Sequence, residues 1–300
     1  MDNNKRSVSS DVITRAYLDS LLLEMRHIDA VMPSTKLSLY GKEFSTPVTT
    51  GALSHLHNHY PNGMVEMAKG GFMAGAVVFS GMGPKEELEG MINTGASVIK
   101  IIKPYADRKS IYDKIRHAED MGALAVGIDT DHAFSKSRGY DEIEGMEMYP
   151  MSQKEILELV KSTSLPFVIK GVLSLVDAKK CLDAGVSGMV ISHHNGRINS
   201  AVPPLMILPE IASEVKGRVP LFVDCSIQTG LDVFKALALG ATACSVGRPL
   251  MARLKENGAQ GVCDGINEIT KDLKYTMAMT ASKDITAIDP SIVRMGSFVW

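Results

Sequence analysis

The sequence predicts an α/β fold, a (β/α)8 TIM barrel with an extra N-terminal helix. Three observations predict it. Short apolar runs recur eight times, each followed by a helical stretch, which is the pattern of right-handed βαβ units closing a parallel sheet. The 300 residues are 45% hydrophobic, enough for one large core, and no Pro/Ser-rich linker divides them. Polar residues stand where the apolar runs stop, and in a parallel sheet those ends gather on one face. The doubly wound open sheet is the alternative, but no GxGxxG follows the first run to supply its glycine-rich turn.

In chain order, Asp11 to Met25 reads as a helix outside the repeat, expected to cover the bottom of the barrel. Residues 36–44 are extended, with a hairpin turn at Gly41-Lys42. The barrel strands are then expected at Pro47–Thr50, Gly75–Ser80, Ser97–Ile102, Ala123–Asp129, Pro166–Lys170, Gly188–Ser192, Pro220–Asp224 and Ala241–Val246. Asp107 is placed to cap the helix starting near Arg108, and Gly122 to end it. The chain reads as a single domain: an N-terminal extension over 1–45, a barrel core over 46–254, and a C-terminal helix and tail over 255–300. The apolar end, Ser297 to Trp300, is expected to dock on its own barrel or on a neighbouring subunit.

Composition narrows the function. A net charge of −2 with interspersed signs leaves no basic stripe, so no nucleic-acid partner is expected. Cys181, Cys225, Cys244 and Cys263 show no CxxC pairing and read as buried free thiols in a reducing compartment. The N-terminus, MDNNKRSVSSDV, is polar, and no apolar run is long enough for a signal peptide or membrane span. A cytoplasmic protein without a membrane partner is the expectation.

Two stretches carry the chemistry. From Pro166 to Arg197 a strand ends in Lys170-Gly171, a helix follows, and a second strand ends in Ser192-His193-His194-Asn195-Gly196-Arg197. From Pro220 to Pro249 one strand ends in Asp224, and the last ends in Gly247-Arg248-Pro249. Loops after the last two strands of such barrels commonly bind phosphate, because helix N-terminal amides face the anion there, and Arg248 adds a bidentate donor. A rival reading starts from Ser54-His55-Leu56-His57-Asn58-His59. Imidazoles two apart on an extended segment face one side, and HxH after the first strand resembles the metal site of amidohydrolases. The aspartate that family wants after its last strand is absent, so a polar loop at the barrel mouth is preferred, with no metal.

The motifs Lys170-Gly171, Ser192-x-His194-x-Gly196-Arg197, Asp224, Gly230-x-Asp232-Val233-x-Lys235-Ala236-Leu237 and Gly247-Arg248-Pro249 together resemble the FMN-dependent α-hydroxy acid oxidase and dehydrogenase family. The resemblance is strong from about Leu165 to Met251 and weaker from Thr46 to Thr130. It implies FMN as cofactor and oxidation of a small 2-hydroxy acid, or a related amine-bearing compound. Lys170 would sit at the N1 and O2 edge of the flavin, His194 would be the base, Asp129 would hold its imidazole, and Arg197 would clamp a carboxylate. Gly247 and Arg248 would bind the phosphate and Asp224 the ribityl hydroxyls, with Thr50, Gly51, Ser80, Ser192 and Gln228 completing the cofactor site. Lys103, Tyr105 and Arg138 would face the substrate. Homo-oligomers are common in the family and are expected.

The departures from the family pattern are specific. His193 and Asn195 replace an asparagine and a glycine, and Cys225-Ser226 replaces two glycines. Gln228 stands where the family has a phosphate-binding arginine, and Lys103 stands at a substrate-facing tyrosine. These changes leave a redox-silent flavin binder, or an FMN-dependent isomerase-like barrel, as alternatives beside the metal-dependent hydrolase.

Overall fold

The computed structural model describes residues 8–137 and 139–296, so Arg138 and the Ser297 to Trp300 tail lie outside the described residues. Eight parallel strands form the barrel: β1 (Val48–Thr50), β2 (Val78–Ser80), β3 (Val98–Ile102), β4 (Ala125–Asp129), β5 (Phe167–Val172), β6 (Gly188–Ile191), β7 (Leu221–Val223) and β8 (Ala243–Val246). Each pairs with its successor from β2 to β8, and β8 returns to β1 with Cys244 opposite Val48 and Val246 opposite Thr50. The remaining seam is drawn together by Thr50. Its amide donates to the Val77 carbonyl at 3.3 Å, and its hydroxyl accepts the Phe79 N–H at 2.9 Å. All eight expected strands are present.

The strands are apolar runs because helices cover them on the outside and side chains fill the inside. Every residue of β3 and β4 is buried, and Phe79 of β2 meets Phe222 of β7 edge to face across the barrel at 5.2 Å. The helices are α1 (Ser10–Ser20), α2 (Gly63–Met73), α3 (Lys85–Asn93), α4 (Arg108–Asp120), α5 (Gln153–Lys161), α6 (Leu175–Asp183), α7 (Pro204–Val215), α8 (Gly230–Ala238) and α9 (Arg248–Met279), the last broken by a kink at Asn257-Gly258. Asp107 caps α4 through the Lys109 amide, and Gly122 turns the chain out of it at φ +76°. No described helix is long and apolar enough to cross a membrane.

Three local expectations need correction. The N-terminal helix stops at Ser20 rather than Met25, because Leu21–Leu23 pairs antiparallel with Val293–Met295. That helix lies at the barrel mouth, not the bottom: Thr14 and Arg15 bond to groups just beyond β6 and β7. The bottom is closed instead by the hairpin Leu37–Leu39/Lys42–Phe44, whose Tyr40 hydroxyl donates to Ser187 O, just before β6, at 2.9 Å. Its turn falls on Tyr40-Gly41, one residue earlier than expected, with φ of +48° and +76°. Two left-handed residues give the turn that matches the twist of the flanking strands. Beyond β4, residues 134–147 form two short hairpins at the rim.

Candidate active site

The ends of β4, β5 and β6 bring three groups together. Lys170 in β5 points its ammonium to within 2.8 Å of Nδ1 of His194, which follows β6, and to 3.5 Å from Oδ1 of Asp129 at the end of β4. Asp131, two residues further on, accepts from Nδ1 of His194 at 2.7 Å. Lys103, just past β3, donates to Oδ2 of Asp129 at 2.7 Å. Asp129 is 2% exposed and Lys170 4%, so these buried charges compensate one another.

The cluster shifts its own protonation. Burial pushes the Asp129 carboxyl up, but the Lys170 ammonium, the His194 hydrogen bond and Lys103 together hold it well below the usual carboxylate range. Burial and the Lys170 charge push His194 down, and its bonds to Asp129 and Asp131 more than restore it, leaving it above its ordinary value. Lys170 is raised, because Asp129, Asp131 and Asp224 outweigh burial. Asp129, Asp131, His132 and His194 bring donor atoms within 4.8 Å of one another. The positive charge facing these acids is already the Lys170 ammonium.

His194 forms part of the wall of two cavities. The larger, about 1020 Å³, extends from Lys170 and His194 past Asp224 to Gly247 and Arg248, with α1 along its side and Gly51 at the β1 end. The second, about 570 Å³, is bounded by His132, Phe134, Asp141 and Arg197. In the larger cavity the backbone approaches closely, since a Cβ on Gly51 would stand 3.3 Å from Gly247 Cα. The N-terminus of α9, at Gly247-Arg248, carries no side-chain cap and faces this cavity, as do the guanidinium-bearing residues Arg248 and Arg15. A long cavity with a buried ammonium at one end, and an uncapped helix terminus with arginines at the other, fits an elongated phosphate-bearing cofactor.

The altered loops keep the backbone that glycine would supply. Asn195, Cys225 and Ser226 have φ of +58°, +69° and +61°. For non-glycine residues that conformation costs of order 1–2 kcal/mol each. His193 is buried and ties the β6 loop to α1. Its Nδ1 accepts the Gly196 amide, and its Nε2 lies 2.7 Å from the Thr14 hydroxyl.

The other sequence candidates divide by position. Gln228 and Asp224 line the larger cavity. Thr50, Ser80 and Ser192 are buried with their hydroxyls engaged: Thr50 on Phe79, Ser80 on Lys100, and Ser192 on the His194 amide. Arg197 lines the second cavity, donating to Asp141 at 2.8 Å and to the Phe134 carbonyl at 2.5 Å. Lys103 is buried on Asp129, while Tyr105 is 3% exposed and packs into the core. The His55, His57 and His59 triplet forms no ligand set among the described residues. The segment is not extended there: His55 is left-handed at φ +58°, Leu56–Asn58 forms a helical turn, and buried Leu56 anchors it, so the amidohydrolase reading is set aside.

Sequence reasoning missed Asp131, His132 and Arg15. The first two sit in the turn after β4, where Asp131-His132 follows the strand-end Asp129 closely enough to have been a signal. Arg15 reaches the site from α1, bonded to Asp19, Asp232 and the Ser226 carbonyl. No spacing in the chain announces that approach.

Comparison with known proteins gives a consistent result. The family model for FMN-dependent dehydrogenases matches residues 5–157 and 146–295. The chain is 30% identical to an L-lactate oxidase of Lactobacillus jensenii, over 87% of this chain and 72% of that protein. It is 26% identical to a 4-hydroxymandelate oxidase of Amycolatopsis orientalis, over 93% of this chain and 88% of that one. A mandelate oxidase variant solved with (S)-mandelic acid superposes with a TM-score of 0.88 at 26% identity, covering 97% of this chain and 91% of the other.

Proposed function

The chain belongs to the FMN-dependent dehydrogenase family, and from that premise we propose that it oxidises a small 2-hydroxy acid with His194 as the base. The observation that carries this reading is the position of His194 between two cavities, one suited to the cofactor and one holding Arg197. FMN, when bound, supplies the acceptor for two electrons. Lys170 would hold the N1 and O2 edge of the ring, where a fixed cation stabilises negative charge. Arg248 and the α9 terminus would hold the phosphate, and Asp224 the ribityl hydroxyls.

On the substrate side, Arg197 would receive the carboxylate in place of Asp141, whose carboxylate accepts from it at 2.8 Å. His194 takes the substrate proton, and Asp129 and Asp131 stabilise the imidazolium that results. The purified protein is expected to be yellow and to bleach anaerobically with one of L-lactate, glycolate or 4-hydroxymandelate. A flavin spectrum that none of a wider panel of 2-hydroxy acids bleaches would refute the substrate class.

We also place the protein in the cytoplasm as a homo-oligomer. All four cysteines are buried and free, which supports a reducing compartment. The exposed ring stack of Phe134, Tyr140 and Tyr149 at the rim supports a subunit contact, for which sedimentation is the test.

A further inference from the structure

Beside His194 stands a second imidazole that the reaction above does not use. His132 lies in the turn after β4, with its Nε2 3.2 Å from Nε2 of His194 and the ring centroids 4.4 Å apart, edge to face. Its other nitrogen, Nδ1, is 3.1 Å from Oδ2 of Asp141. An ionised carboxylate only accepts, so Nδ1 carries the proton and Nε2 of the neutral ring is bare. Two bare nitrogens do not hydrogen-bond. The proton between the rings therefore belongs to Nε2 of His194, and with Nδ1 donating to Asp131 the ring that makes both bonds is the imidazolium.

We propose that His132 is a positioning residue: between turnovers it accepts a hydrogen bond from Nε2 of the His194 imidazolium, and once that proton has left through the second cavity the substrate takes its place beside the bare nitrogen. This deepens the functional reading above, and its kinetic consequences rest on that reading. When the product has left, His132 returns and holds the proton that His194 has taken, until it passes to solvent through the second cavity. Asp141 serves both ends of the exchange, because the same oxygen accepts from His132 and from Arg197. A substrate carboxylate that draws Arg197 away thus loosens the group that orients His132.

The charges facing the pair come from every neighbouring element: Lys103 beyond β3, Asp129 and Asp131 from β4 and its turn, Lys170 from β5, Arg197 after β6, and Asp141 at the rim. Burial, Lys103 and the neighbouring His194 push His132 down to about 3, so it is neutral at working pH. Replacing it with another neutral ring leaves all these charges in place.

The test compares His132→Phe, which removes the acceptor and keeps the bulk, with His132→Gln, which restores an acceptor oxygen; His132→Leu serves as a second acceptor-free variant. In flavin-loaded, substrate-free protein, the NMR titration midpoint of His194 is expected to fall by about one pH unit in the acceptor-free variants, the size of one charge-assisted bond, and to stay near wild type in His132→Gln. The acid limb of kcat/KM for L-lactate or glycolate, which reports the free enzyme, should move with it. The limb of kcat should not, because bound substrate has already displaced His132. An unmoved His194 midpoint in the acceptor-free variants, or an equal shift in His132→Gln, overturns the proposal. The NMR arm needs no turnover, so a shifted midpoint without flavin reduction by any 2-hydroxy acid counts against the functional reading alone.

Discussion

His194 is where residue-level chemistry decides the outcome. With His194→Ala the Lys170 ammonium and the α9 terminus remain, so flavin should stay bound while its reduction by substrate slows by about two to four orders of magnitude, the usual contribution of a positioned base. Unchanged reduction in stopped flow would remove His194 from the mechanism. Its neighbour sets an acid limit on stability. His132 is held neutral down to about 3, whereas an unfolded histidine titrates near ~6.5, so between those values the unfolded chain binds a proton that the folded one refuses. Stability falls as pH drops through that window. His194 has the opposite sign: its raised value gives stability that is present in acid and lost as pH rises through the folded midpoint. Urea midpoints measured from about pH 6 to pH 4 should therefore fall less steeply for His132→Phe than for wild type; parallel slopes would contradict this. Lys170, His194 and Asp129 were legible in the sequence because each stands where an apolar run stops. Asp131 and His132 stand in a turn, where no periodicity marks a side chain as facing inward.

At the scale of elements, two helix termini at the anion end of the larger cavity differ in whether the chain supplies the anion. The start of α8 carries its own anion: buried Asp232 accepts the amides of Gln228 and Thr229 and the Arg15 guanidinium. The start of α9 carries none, which leaves its dipole to a ligand. Arg248 lies at that terminus, its guanidinium 2.6 Å from Asn195 Oδ1 and 3.3 Å from Asp11. In fluorescence titration Arg248→Ala should bind FMN about tenfold more weakly or worse; equal affinity would move the phosphate elsewhere. The barrel strands and most helices follow from apolar runs and caps and were readable in advance. The end of α1 was not, because Leu21–Leu23 is a strand only by virtue of Val293–Met295, whose sequence separation no local pattern spans. The extended HxH segment that the metal reading required is absent for a related reason. Leu56 is claimed by the core, and the chain bends around it.

For the molecule as a whole, a cofactor in the proposed place, between α1 and the mouths of β1 and β5 to β8, would couple occupancy to global unfolding. At about a hundred times Kd, FMN should add roughly 2.7 kcal/mol, which for a chain this long raises the thermal midpoint by a few degrees. Zinc at the same concentration should leave the midpoint unchanged, and the reverse pattern would restore the metal reading. The pairing of Leu21–Leu23 with Val293–Met295, reinforced by Arg294 on Glu24 and Arg26 on Asp289, has a consequence in time rather than space. On the ribosome α1 is made long before the strand at residues 293–295 that pairs with the residues just after it. Thr14 and Arg15 can bond to the loops beyond β6 and β7 before that strand is made, so α1 is docked in two instalments, first on the barrel mouth and later along residues 293–295.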